Sequence, residues 1–216
     1  EVKEGDVIDL GKHKIQFSNL PMVHCPEVMV AYEQTEKILF SADAFGTFGA
    51  LNGNIFNDQV DFEGYYLSEA RRYYTNIVGK YGAQVQIALK KLSGLDIKII
   101  APLHGPIWRA NLDYLLDKYN KWSSYTPEKQ GVVIVYGSMY GNTENAANCI
   151  ANKLAQQGVT DIKVYDVSKT HPSYIIADAW KYSNLVIASP TYNVGLYLVM
   201  DALLHEMASL NFQNRK

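Results

Sequence analysis

The sequence predicts an α/β protein built in two parts, the second of them a doubly wound parallel sheet. Three observations carry this expectation. From Gly131 onward strand-like and helix-like stretches alternate regularly, while the earlier residues open with clustered short strands followed by helices. Between them runs Ser123-Ser124-Tyr125-Thr126-Pro127-Glu128-Lys129-Gln130, polar and interrupted by a proline, as domain boundaries usually are. We therefore assign 1–125 to a first domain, 126–130 to a linker and 131–216 to a second domain.

In the first part, Val7 to Leu10, Lys14 to Phe17, Val28 to Tyr32 and Lys37 to Ser41 are short β-prone runs separated by Gly11-Lys12 and Glu33-Gln34, the pattern of a β-meander. Helices are expected over Tyr66 to Val78, Ala83 to Leu92 and Leu112 to Trp122. The apolar strand Ile97 to Ala101 delivers the loop Pro102-Leu103-His104-Gly105-Pro106. In the second part the order is strand Val132 to Tyr136, helix Thr143 to Gln157, strand Ile162 to Asp166, helix Ser173 to Tyr182, strand Leu185 to Ser189 and helix Met200 to Leu210. Alternation of this kind gives parallel strands joined by crossover helices.

Composition excludes several function classes. Apolar residues make up 48% and charged residues 19%, ordinary values for a globular chain, and the net charge of −2 supplies no basic field for a phosphate backbone. Nucleic acid is thus not an expected partner. The two cysteines, Cys25 and Cys149, lie far apart and outside any CxxC spacing, which fits a reducing, cytoplasmic setting, with Cys149 read as a core residue. No run of about eighteen apolar residues is present to cross a bilayer. The absence of an initiating Met and the stop just after a helical pattern read as an internal fragment of a longer chain.

The run Val132 to Tyr136 leads directly into Gly137-Ser138-Met139-Tyr140-Gly141-Asn142-Thr143-Glu144, a hydroxyl-rich turn ahead of a helix. A phosphate there would meet free backbone N–H groups and the positive end of the helix dipole, with Ser138, Asn142 and Thr143 adding donors. No lysine follows Gly141, so the spacing is not that of a nucleoside triphosphatase loop. A second loop, Ser189-Pro190-Thr191-Tyr192-Asn193, follows the third strand and falls at the same carboxyl edge of such a sheet. Either loop alone is more simply a helix cap or a turn. The pair resembles the flavodoxin family, in which the first loop grips the FMN phosphate and an aromatic-bearing later loop flanks the flavin ring. That resemblance implies Ser138, Met139, Tyr140, Gly141, Asn142, Thr143, Pro190, Thr191, Tyr192 and Asn193 as FMN contacts.

In the first part His24 follows Leu20-Pro21-Met22-Val23, Asp43 follows the strand end Ile38-Leu39-Phe40, and His104 follows the strand Ile97 to Ala101. Imidazole and carboxylate are common ligands of iron and zinc, and a carboxylate can bridge two metals. Spacing alone leaves these three as loop and turn residues. Their contexts, His24-Cys25-Pro26-Glu27, Ser41-Ala42-Asp43-Ala44-Phe45-Gly46 and His104-Gly105-Pro106-Ile107-Trp108, ahead of the flavin half, resemble the flavodiiron protein family. The resemblance implies the C-terminal part of a metallo-β-lactamase-like αβ/βα domain followed by an incomplete flavodoxin-like sheet. It implies that His24 and His104 ligate iron, that Asp43 bridges a pair of irons, and that these three form the catalytic site. It further implies reduction of O2 to water or NO to N2O, with electrons from a donor such as rubredoxin or a flavin reductase, in a head-to-tail homodimer. The family's upstream H-x-[EH]-x-D-H ligand motif has no counterpart among His13, His24, His104, His171 and His205, and Cys25 stands where a large aromatic is common. Two alternatives remain open at this stage, a zinc hydrolase and a non-enzymatic FMN or dimer module with a metal-free first domain. His13, His171 and His205 are read as solvated or capping residues.

Overall fold

The computed structural model describes residues 1–216, which divide into two compact units, Glu1–Ser124 and Tyr125–Lys216. In the first unit a five-stranded sheet has the order β1 (Val7–Asp9), β2 (Lys14–Asn19), β3 (Met29–Glu33), β4 (Ile38–Phe40) and β5 (Ile99–Ala101). The first four strands form the expected antiparallel meander. Its first hairpin closes at Gly11, whose φ of +81° suits glycine and whose N–H donates to the Asp9 carboxylate at 2.8 Å. β5 returns parallel to β4, with Leu39 opposite Ile100, so the helices between them act as a crossover. Both of those residues are at most 1% exposed, which makes this strand pair the centre of the unit's core.

The helix expected over Tyr66 to Val78 is not one regular helix. A π-helical turn, Phe62–Tyr66, leads into α1 (Leu67–Tyr73), and a second π-helical turn, Tyr74–Val78, follows it. Adjacent tyrosines in a regular helix point about 100° apart. The wider turn here lets Tyr73 and Tyr74 both bury, at 5% and 0% exposure. α2 (Gly82–Leu92) and α3 (Leu112–Ser123) complete the unit.

In the second unit a three-stranded parallel sheet has the order β7 (Ile162–Asp166), β6 (Lys129–Tyr136), β8 (Tyr182–Ala188). β6 is central because its run of β-branched residues is the only one able to bury both faces. Val132, Ile134 and Tyr136 pack with Ala147 of α4 (Asn142–Gln156), while Val133 and Val135 alternate to the other face at 0% and 1% exposure. α5 (Pro172–Lys181) and α6 (Leu198–Ser209) follow in turn.

Three readings are corrected. Tyr182 does not end the helix before it but begins β8, where it pairs with Lys129, a residue read as linker that begins β6. A short hairpin, β9 (Thr191–Tyr192) with β10 (Gly195–Leu196), occupies what was read as an open loop. Cys149 is exposed rather than core: the buried stripe of α4 runs through Ala147, Ala151 and Leu154, at i, i+4 and i+7, and Cys149 is off it. His171 does cap a helix, accepting the Ser173 N–H at 3.2 Å. No helix is long and apolar enough to cross a membrane.

Candidate metal and flavin sites

His24, Asp43 and His104 leave three different strand ends of the first unit and meet. Asp43 lies between the imidazoles: its Oδ2 is 3.4 Å from His24 Nε2 and its Oδ1 is 3.7 Å from His104 Nε2. Each carboxylate oxygen therefore faces a different histidine. Those separations are too long for good hydrogen bonds. Two donors each about 2.1 Å from one metal and set 90–110° apart lie about 3.0–3.4 Å from one another. The His24 spacing of 3.4 Å reaches that window, and the His104 spacing of 3.7 Å lies a few tenths of an ångström beyond it. No group of three or more His, Cys, Asp or Glu side chains is arranged to hold a single metal ion.

The loops that carry these residues are held by backbone rather than by charge. The Asp43 loop turns through Ala42 at φ +52° and Phe45 at φ +68°, left-handed positions that need outside support. That support comes from Ser41, whose hydroxyl donates to Ala44 O at 2.7 Å, and from Tyr119, whose hydroxyl accepts the Phe45 N–H at 2.7 Å. Leu103 N–H donates to Ala42 O at 2.9 Å, tying the His104 loop to the Asp43 loop.

His104 is positioned on three sides. Its Nδ1–H donates to the carbonyl of Thr47 at 3.0 Å, which fixes the tautomer and leaves the Nε2 lone pair facing Asp43. The ring of Tyr73 meets it edge-on, with centroids 4.7 Å apart and planes at 74°. On the third side is Gly46, where a Cβ would come within 2.4 Å of His104 Cε1 and 2.7 Å of Nδ1. Cys25 Sγ lies 3.7 Å from His24 Nδ1, a weaker version of the same support. All three polar residues keep roughly a third of their side-chain surface open, at 31%, 34% and 36%. Gly46, Thr47 and Tyr73 escaped the sequence reading; a glycine three residues after the acid was a signal for close approach, and Tyr73 gave none.

In the second unit the Ser138 loop and the Pro190 loop leave adjacent strands, β6 and β8, at the same edge, joined by Gly137 N–H to Ala188 O at 2.9 Å. Ser138 Oγ accepts the Gly141 N–H at 3.0 Å, and Gly141, at φ +85°, turns the chain into α4. The first N–H groups of α4, from Asn142 and Thr143, have no acceptor within the helix and point out of its N-terminus. Across from them, Pro190 precedes the β9–β10 hairpin, whose turn is Asn193 and Val194 at positive φ. Met139, Tyr140, Tyr192, Val194 and Leu196 are all at least 40% exposed, an apolar rim beside a set of phosphate-type donors. Gly137 is closed from behind by Tyr197, whose ring would be 2.6 Å from an added Cβ. The donors and the rim fit a phosphate carrying an aromatic ring system.

Comparison with known proteins bears on both units. The "ODP family beta lactamase" profile matches residues 2–105 and the "Flavodoxin" profile matches residues 134–214. The chain is 37% identical over 196 residues to an uncharacterized protein of Methanocaldococcus jannaschii, covering 91% of this chain and 49% of that one. It is 32% identical to an anaerobic nitric oxide reductase flavorubredoxin of Vibrio vulnificus, over 100% of this chain and 44% of the relative. Among solved structures, rubredoxin oxygen:oxidoreductase of Desulfovibrio gigas superposes with a TM-score of 0.92 at 31% identity, over 99% of this chain and 53% of that one. The flavodiiron protein of Giardia intestinalis gives a TM-score of 0.91 at 26% identity, over 98% and 51%. The chain spans about half the length of these relatives.

Proposed function

Because the chain belongs to the flavodiiron protein family, we propose that it serves an oxidoreductase that passes electrons from a redox partner through FMN to a non-haem diiron centre, reducing O2 to water, NO to N2O, or both. The observation that carries this reading is Asp43, which presents one oxygen to His24 and the other to His104 at 3.4 and 3.7 Å. A carboxylate so placed suits two metals rather than one. When bound, the irons supply redox-active positions for a diatomic substrate and FMN supplies electrons one at a time.

The protein's own residues have defined tasks in this scheme. His24 and His104 would each offer Nε2 to an iron, and the Asp43 carboxylate between them would supply the oxygen ligands. Thr47 O keeps the Nδ1 proton on His104 and thereby keeps Nε2 free. At the flavin site, Ser138, Gly141, Asn142 and Thr143, with the backbone N–H groups of Met139 and Tyr140, would hold the phosphate. Pro190, Thr191, Tyr192 and Asn193 would flank the ring. The zinc-hydrolase alternative leaves the flavin half without a task.

We carry the finer features as part of the same proposal: a rubredoxin or flavin reductase as donor, a head-to-tail homodimer, and a cytoplasmic location. The names of the flavorubredoxin and rubredoxin oxygen:oxidoreductase relatives support the donor. Metal and flavin analysis of the intact protein tests the whole. About two irons per chain with FMN absorbance is the expected result; zinc would support the hydrolase, and flavin without metal the carrier. Asp43→Ala should lose iron and retain flavin, and a variant that kept both would remove Asp43 from its role.

A further inference from the structure

We propose that Tyr197 is the positioning residue of the flavin site, holding the phosphate loop at a set distance from the hairpin that flanks the ring. The proposal rests on the flavin reading above. Strands β7, β6 and β8 lie side by side in that order, and Ser168, Gly137 and Ser189 stand just past their carboxyl ends. Tyr197 touches all three. Its hydroxyl shares a 3.1 Å hydrogen bond with Ser168 Oγ, its Cδ1 lies where a Cβ on Gly137 would come within 2.6 Å, and its N–H donates to Ser189 Oγ at 3.3 Å.

These contacts divide between backbone and side chain. Ser189 Oγ accepts the Tyr197 N–H and donates to Pro190 O at 3.2 Å, which closes the base of the β9–β10 hairpin. The ring instead backs Gly137, the residue before Ser138, and every atom that an added Cβ would meet there belongs to Tyr197. Gly137 is not at positive φ, so the ring and not the backbone is what excludes a side chain. One residue therefore sets the two loops relative to each other, the hairpin through its main chain and the phosphate loop through its ring. FMN reaches from one loop to the other, and engaging both at once requires them at the ligand's own span. Riboflavin lacks the phosphate and meets only the hairpin side.

Tyr197→Ala and Gly137→Ala test this, singly and together, in the intact protein freed of flavin and titrated by fluorescence with FMN and with riboflavin. Tyr197→Ala keeps the N–H on Ser189 and removes the ring, so FMN should bind about tenfold more weakly, the size of one hydrogen bond to a charged ligand, while riboflavin binds as in wild type. Gly137→Ala wedges the loop off the ring and should weaken FMN by a similar factor. Because that wedge acts only against the ring, the double variant should bind FMN no more weakly than Tyr197→Ala alone. Unchanged FMN affinity in Tyr197→Ala overturns the proposal. So do losses that add in the double variant, or an equal loss of FMN and riboflavin, which would make Tyr197 a structural residue only. If Tyr197→Ala does not fold, Gly137→Ala decides alone: FMN weakened with riboflavin retained upholds the proposal, and any other result overturns it. A wild-type protein that binds FMN no more tightly than riboflavin fails the phosphate-loop reading itself, and the proposal falls with it.

Discussion

Gly46→Ala is a minimal change that should damage one half of the proposed metal centre. A Cβ at this position would stand 2.4 Å from Cε1 and 2.7 Å from Nδ1 of His104. Ordinary carbon contacts begin near 3.5 Å, so the ring must withdraw by about 1 Å. It has little freedom to do so, being bonded to Thr47 O at 3.0 Å and braced by Tyr73 at 4.7 Å. A withdrawal of that size displaces Nε2, now 3.7 Å from Asp43 Oδ1, from its present position beside the carboxylate. Metal bonds tolerate only about 0.2 Å. We therefore expect the iron held with His104 to bind about 10- to 100-fold more weakly, the range typical of lost ligand support. Iron content should fall from about two toward about one per chain, with flavin unchanged. Gly94→Ala is the control: its added Cβ would meet only Lys91 O, at 3.9 Å. Inductively coupled plasma analysis of both variants decides the matter, and a Gly46→Ala protein with full iron content would refute the steric argument.

Three other outcomes follow from the same structure. Tyr119→Phe should leave the N–H of the buried Phe45 without its acceptor, lowering stability by about 1–3 kcal/mol and metal affinity with it, both readable by calorimetry. Ser138→Ala removes the acceptor of the Gly141 N–H and a phosphate donor together, so FMN affinity followed by fluorescence should weaken about tenfold. Burial raises the Glu33 carboxyl, but the N–H groups of Glu36 and Thr35 and the His13 ring outweigh it and bring the group from 4.5 down to about 2. A carboxyl lowered on folding stabilises the fold above its unfolded value and loses that contribution as the pH falls. Melting temperature should therefore drop between about pH 4.5 and pH 2, and Glu33→Gln should flatten that part of the profile.

How much of this was legible in the sequence depends on how far the chemistry spreads along the chain. The proposed flavin loop is one contiguous strand, turn and helix start, so Ser138 to Thr143 could be singled out by pattern, and the structure adds that Ser138 is turned toward Gly141. The three proposed metal ligands lie on three loops, and spacing alone could not join His24 to Asp43 and His104; the resemblance in motif order did, and the structure brings the three together. The meander and the parallel sheet were readable because strand periodicity is local. The π-helical turns around α1 were not, because two adjacent buried tyrosines satisfy no simple helical stripe. The bulky, aromatic Tyr182 was equally compatible with a helix end or a strand start, and pairing with Lys129 decided it.

The contrast between Tyr73 and Tyr119 shows where fold and site divide. Both are nearly enclosed phenols, at 5% and 1% exposure, and nothing in the sequence separates them. Tyr119 spends its hydroxyl on the Phe45 N–H, which secures the strained loop that aims Asp43. Tyr73 spends its ring on His104 and leaves its hydroxyl unused. In the first the whole side chain belongs to the scaffold, and in the second only the aromatic part does. The two Tyr→Phe variants therefore make opposed predictions, a stability loss for Tyr119 and none for Tyr73. If both lost stability alike, the Tyr73 hydroxyl would be one more structural contact; if only Tyr119 did, the ring of Tyr73 alone belongs to the scaffold.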